Sequence, residues 1–201
     1  MSAFAHLALW SDKVVSDSAF RTMIDEERNP YRWLEYVFSS TLMLIVICVL
    51  LGVNNLSTLI AVSGCNVAMV LFGDIGSRFQ YDRTQVMTGR DISPKNAAVR
   101  KNKILSFMYG SIAGVTPWII IGLQVAQSGV ASAGAIPWFV WSIVFSIFGL
   151  FFSFAVIEGL NIWYKLEFKK TEYRYRIASF AAKSALSWQA FAALYTLYHS
   201  L

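Results

Sequence analysis

The chain has 201 residues, of which 56% are hydrophobic, 15% aromatic and only 14% charged, with a mean hydropathy of +0.51. A soluble domain carries roughly a quarter of its residues as charges, so this composition excludes an ordinary soluble enzyme. The formal net charge of +5 does not imply nucleic acid, because the cations are confined to a few segments between apolar runs.

In chain order, residues 3–10 form an apolar scrap too short to span a membrane and unlike a signal peptide, since no basic n-region precedes it. It reads as the end of a helix interrupted by the start of the chain. Residues 11–32 form a mixed-charge cytoplasmic segment, in which Asn29 and Pro30 follow Asp25, Glu26 and Glu27. Asn29 is a helix cap with proline at the first helical position. Five apolar stretches then follow, at 33–53, 56–72, 104–125, 136–160 and 177–198, each near the ~20 residues a hydrocarbon core requires. Residues 75–103 form the longest polar connection, with turn signals at Thr88-Gly89 and Ser93-Pro94. The connection 127–137 is short, small and uncharged. The expected fold is all-α: a transmembrane bundle of five full spans plus a partial N-terminal helix, one domain over 1–201 with the bundle at 33–200.

Every Lys and Arg except Lys183 lies before the first span, between spans two and three, or between spans four and five. The positive-inside rule puts those segments in the cytoplasm and the C-terminus outside, the parity that five crossings demand. Basic segments also attract anionic lipid. Cys48 and Cys65 fall inside spans and read as small apolar packing rather than a disulfide framework.

Lys183 is the exception that needs a reason. It stands among small and apolar neighbours, about 9 Å along the helix axis from the start of its span. Such a placement costs about 2.5–3.5 kcal/mol on insertion scales. A snorkelling lysine is the plain alternative. Glu35 occupies the corresponding end of the first full span, and both spans run in the same direction. The lysine side chain leans back toward its helix N-terminus, so the two charges reach one depth if the helices are neighbours. A lysine of this kind serves either a structural ion pair or Schiff-base chemistry with an aldehyde. Ser39 and Ser179 lie one turn from the pair on the same helix faces, and aromatic residues are dense in the later spans. Glu158 and Asp74, at span ends, read as solvated. Asn66 reads as an interhelical hydrogen-bonding residue, His6 as interfacial, and Trp138 and Trp163 as belt residues. No metal-ligand cluster, phosphate loop or Ser/His/Asp set is present, so enzymatic chemistry has no support.

The segments Asn29-Pro30-Tyr31-Arg32-Trp33-Leu34-Glu35-Tyr36, Phe38-Ser39-Ser40, Gly64-Cys65-Asn66-Val67-Ala68-Met69-Val70-Leu71-Phe72-Gly73, Ile112-Ala113-Gly114-Val115-Thr116-Pro117-Trp118 and Ala182-Lys183-Ser184-Ala185-Leu186-Ser187-Trp188-Gln189-Ala190-Phe191 together resemble the heliorhodopsins. The resemblance covers most of 29–201. It implies a retinal-binding photoreceptor with its N-terminus inside, inverted relative to ordinary microbial rhodopsins. Lys183 would carry retinal as a protonated Schiff base, with Glu35 as counterion. Ser39 and Ser179 resemble the polar neighbours of that linkage, and His6 the histidine ending the second helix. Met43, Asn66, Trp118, Phe151 and Trp188 are implied pocket residues. The family's slow photocycles imply sensing rather than ion pumping, its members tend to be homodimers, and a signalling partner is unidentified. Of the family's seven helices, this chain supplies counterparts of helices three to seven and the end of helix two. Two other functions fit the residues: a light-driven or light-gated ion transporter, and a chromophore-free membrane protein with a structural Lys183–Glu35 pair.

Overall fold

A computed structural model describes residues 29–53, 55–81, 94–131 and 138–199. The scrap at 3–10 with His6, the segment 11–28 and the Thr88-Gly89 turn lie outside the described residues. Among those described, the regular elements are five helices: α1 (Pro30–Leu50), α2 (Leu56–Arg78), α3 (Pro94–Ala131), α4 (Trp138–Tyr164) and α5 (Phe168–His199).

Each helix begins or ends for a local reason. The Asn29 side chain accepts the backbone N–H of Arg32 at 3.1 Å, with Pro30 behind it, so two donors that would otherwise be orphaned are capped or absent. Asn55 caps α2 in the same way, accepting from Ser57 and Thr58. Pro94 opens α3 rather than closing a turn, because proline's fixed φ suits the first helical turn. At 38 residues, or about 57 Å, α3 outruns the hydrocarbon core by nearly a factor of two. Pro117 sits inside it without ending it.

Among the described residues, four helices are long and apolar enough to cross a membrane: Tyr31–Leu50, Leu56–Arg78, Pro94–Gln127 and Trp141–Tyr164. The fifth expected span falls short on hydropathy alone, because its apolar part contains Lys183, Gln189 and several serines. It has the length, 32 residues, and packs along α4. The remaining packing is sequential, α1 on α2, α2 on α3 and α3 on α4, with a lesser α1–α4 contact. Cross-helix bonds fix the relative directions of α1, α2, α4 and α5. Asn29 and Arg32 of α1 meet Glu172 of α5, Trp33 meets Ser77 near the end of α2 at 3.1 Å, and Tyr175 meets Glu158 near the end of α4 at 2.6 Å. Thus α1 and α5 run parallel, and their N-terminal ends gather with the C-terminal ends of α2 and α4 at one charged end of the bundle.

The burial pattern is that of a protein whose solvent is lipid. On α1 the exposed residues Leu34, Phe38, Leu42, Val46 and Val49 recur every three or four positions, while Trp33, Tyr36, Leu44, Ile47 and Cys48 are buried. That spacing is one stripe of a 3.6-residue helix turned outward. Two buried clusters hold the bundle. One, around Leu44, Ile47, Val62, Ile121, Ile147 and Leu186, lies far from the charged end. The other is built from Trp33, Tyr36, Val70, Ile157, Tyr175 and Ala178. Between α1 and α2, buried Asn66 donates to Ser40 at 2.7 Å and to Thr41 at 2.9 Å. Such bonds hold helices together where apolar surface gives no preference for protein over lipid.

Candidate functional site

Glu35 lies five residues into α1 and Lys183 fifteen residues into α5. Because the two helices are parallel, the lysine's long stem leans back along α5 toward the glutamate. The structure joins them: Lys183 Nζ donates to Glu35 Oε1 in an ion pair whose side chains are 27% and 8% exposed. The amine also lies 5.9 Å from the centre of the Tyr36 ring, within cation–π range. Carboxylate and ring together compensate a cation held in low dielectric, where an isolated charge is costly.

Lys183 stands at a cavity of about 150 Å³, bounded by all five helices and lined mostly by apolar side chains; Glu35 is not among the lining residues and reaches it through the lysine. Lys183, Ser179, Ser39, Met43 and Phe151 line it, as do Tyr36 and Tyr175. Trp118 does not; it packs edge-on against Phe151 at 5.5 Å and Phe148 at 5.2 Å, one layer behind the wall. Asn66 likewise does not line it, being occupied with Ser40 and Thr41. Trp188, expected in the pocket, is 72% exposed on the outer surface of α5 and packs against Phe191. It lies five residues from Lys183, which turns it well away from the lysine's face of a 3.6-residue helix. His6 lies outside the described residues.

Beneath this cavity, at the charged end, is an aromatic and ionic floor that the sequence does not announce. Tyr175 is buried, stacks on Phe154 at 6.0 Å and meets Trp33 and Tyr36 edge-on at 6.2 and 6.5 Å. Tyr36 donates its hydroxyl to the Tyr175 carbonyl at 3.2 Å. The Arg32 guanidinium lies 4.4 Å from the ring centres of both Trp33 and Tyr175 and is paired with Glu172. Glu158 and Asp74, expected to be solvated, are instead engaged within the protein. Glu158 accepts from Tyr175, and Asp74 is 9% exposed and accepts from Arg78 at 2.7 Å. Both helices run past the apolar stretch, so these carboxylates are enclosed by neighbouring helix ends. Trp163, expected at the membrane interface, is exposed, with Arg100 5.3 Å from its ring centre.

Chemically, the Lys183 end of the cavity offers a primary amine, the Glu35 carboxylate that holds the amine's charge, the hydroxyls of Ser39 and Ser179, and apolar or aromatic walls, while Lys103 and Glu158 line the charged end. That donor set fits a long apolar aldehyde captured by the lysine. No Asp, Glu, Lys or Arg occurs among the described residues on the far side of the Lys183–Glu35 pair.

The family model for heliorhodopsin matches residues 1–195, a stretch that takes in the segments preceding α1, the whole of α1 to α4 and all but the last turn of α5. No curated protein sequence matches the chain. With nearly its whole length matched to that family, and with an all-helical bundle of membrane-spanning helices, the chain is an integral membrane protein that belongs to the heliorhodopsin family.

Proposed function

We propose that the protein is a retinal-binding light sensor in which Lys183 holds the chromophore as a protonated Schiff base and Glu35 is its counterion. The observation that carries this reading is the ion pair of Glu35 with Lys183, a lysine that lines an apolar cavity. When bound, retinal supplies light absorption and a change of shape. The chain supplies the rest. Lys183 anchors, Glu35 holds the compensating negative charge, and Ser39 and Ser179 offer hydroxyls on the cavity wall. Met43 and Phe151 shape the apolar walls, and Trp118 backs Phe151. His6 joins this set through the family resemblance alone.

Sensing is favoured over ion transport by the distribution of charge. A transporter needs a relay of ionisable groups across the bundle, whereas the Asp, Glu, Lys and Arg side chains among the described residues stop at the level of the pair, and beyond it only His199, at the end of α5, could carry a charge near neutral pH. We read the charged end as cytoplasmic on the positive-inside rule, residues 1–201 as one domain, and the working form as a homodimer that signals to a partner.

Retinal reconstitution tests the assignment. Glu35→Gln removes the anion closest to the chromophore's charge, so the visible maximum of the pigment is expected to move strongly. A pigment whose maximum is unchanged by Glu35→Gln would overturn the counterion role.

A further inference from the structure

Where the start of α3 meets the end of α4, the outer surface of the bundle turns from apolar to basic. On α4, Phe145, Phe148, Phe152, Val156 and Trp163 are exposed and fall on one face of the helix. On α3, Leu105, Met108 and Ile112 are exposed at the same helical spacing. Lys101, also exposed and four residues before Leu105, continues their face. The two apolar stripes thus reach the charged end on a tryptophan and a lysine, residue types suited to a membrane boundary. Arg100 joins them. It is exposed, and its guanidinium lies 5.3 Å from the centre of the Trp163 ring, itself 68% exposed. Deeper in the same seam, Phe107 lies two turns from Arg100 on the same face of α3, and a Cβ added at Gly159 of α4 would lie 4.0 Å from its ring.

The charge at this seam is unbalanced. Residues 94–103 contain Lys95, Arg100, Lys101 and Lys103 and neither Asp nor Glu. Arg78 and Lys170, exposed at the same end of the bundle, are paired with Asp74 and Glu167. Among the described residues, no ion pair engages Arg100 or Lys101. Contact with a ring leaves the N–H edge of a guanidinium able to donate to an acceptor. The depth also fits a ligand from the membrane. Arg100 and Lys101 precede Leu105 by five and four residues, or about 6–8 Å along the helix axis. The headgroup layer on each side of the hydrocarbon core is about 5–8 Å thick. With Leu105 at the hydrocarbon edge, both cations stand among the headgroups, where a net negative headgroup is attracted by each of them.

We propose that Arg100, Lys101 and Trp163 form a seat for one anionic phospholipid of the leaflet at the charged end. The phosphate of the headgroup accepts hydrogen bonds from Arg100 and Lys101, Trp163 packs at the headgroup boundary, and the acyl chains follow the apolar stripes of α3 and α4. A zwitterionic lipid brings the same phosphate and chains, but its own ammonium group cancels the charge that the two cations attract. The seat therefore selects a net negative headgroup. It does not depend on whether retinal binds, so its test stands apart from that of the proposed function.

The test is native mass spectrometry of the purified full chain in detergent, without added retinal, titrated with phosphatidylglycerol and, for reference, with phosphatidylcholine of the same chains. The expected result is one phosphatidylglycerol held more tightly than any phosphatidylcholine and not displaced by inorganic phosphate. Each cation near an anionic headgroup is worth about 5-fold in affinity, so Arg100→Gln with Lys101→Gln should weaken that binding by about 25-fold and leave phosphatidylcholine unchanged. Lys169→Gln with Arg174→Gln removes the same charge from exposed residues that lie about 140° apart around α5, and should leave the binding unchanged. Equal affinity for the two lipids overturns the proposal, as does unchanged binding in the Arg100/Lys101 variant. An equal loss in both double variants also overturns it, since that is the mark of diffuse surface charge, and so does displacement by inorganic phosphate, the mark of a site for free anions. If the Arg100/Lys101 double variant does not fold, Lys101→Gln alone decides: a loss of about 5-fold supports the seat and no loss overturns it.

Discussion

The Lys183–Glu35 pair makes a prediction that does not require a chromophore. Lys183→Met leaves Glu35, 8% exposed, as a carboxylate without its cation. Removing one partner of a buried pair costs about 3–5 kcal/mol, whereas replacing both by neutral groups is often close to neutral. Glu35→Gln is expected at the low end of that range, because Lys183 is 27% exposed and keeps the Tyr36 ring near its amine. The double variant, Lys183→Met with Glu35→Gln, should recover at least about 2 kcal/mol relative to the sum of the singles, a coupling typical of residues in direct contact. At about 2–4 °C per kcal/mol for a chain of this size, each single substitution lowers the midpoint of thermal unfolding by about 6–20 °C, and the double by much less. The assay is circular dichroism of the retinal-free protein in detergent, taken through a full double-mutant cycle. Strict additivity, with the double variant as unstable as the two singles combined, would refute a pairing between α1 and α5.

Three further outcomes follow from the packing. A Cβ added at Gly73 would lie 2.5 Å from the Trp33 ring, which is held by Ser77 and Tyr175, so Gly73→Ala is expected to cost about 1–3 kcal/mol. At Gly114 the equivalent atom meets the end of the flexible Met69 side chain, so Gly114→Ala should cost less; both are read by thermal unfolding. Asn66→Leu removes two hydrogen bonds between α1 and α2 at about 0.6 kcal/mol each, roughly 1 kcal/mol in all by the same assay. In retinal titrations Phe151→Ala should weaken pigment formation, while Trp188→Ala, on the outer face, should leave it unchanged.

The helices were legible because apolar runs of about 20 residues have few alternatives to spanning a membrane. Their ends were not. The second span was expected to stop at 72, yet α2 continues to Arg78; the third was expected from 104, yet α3 begins at Pro94. Hydropathy marks where a helix leaves lipid, whereas caps and backbone hydrogen bonds decide where it stops. The depth of Lys183 and Glu35 followed from span parity, but their contact needed α1 and α5 to be neighbours, which no periodicity encodes. Trp188 shows the same limit in another form. Polar and apolar residues are spread around α5, so the inward face could not be chosen from its sequence. The floor of Arg32, Glu172, Tyr175 and Glu158 was missed for a different reason. Charges beside a span read as topology signals, and only the packed helix ends convert them into a buried network.

Adding all-trans retinal to the purified apoprotein and recording its visible spectrum, before and after hydroxylamine, tests the central claim most directly. The account predicts a visible band that hydroxylamine bleaches and that Lys183→Ala never forms. A folded protein that yields no such band, or one whose band survives Lys183→Ala, would contradict it.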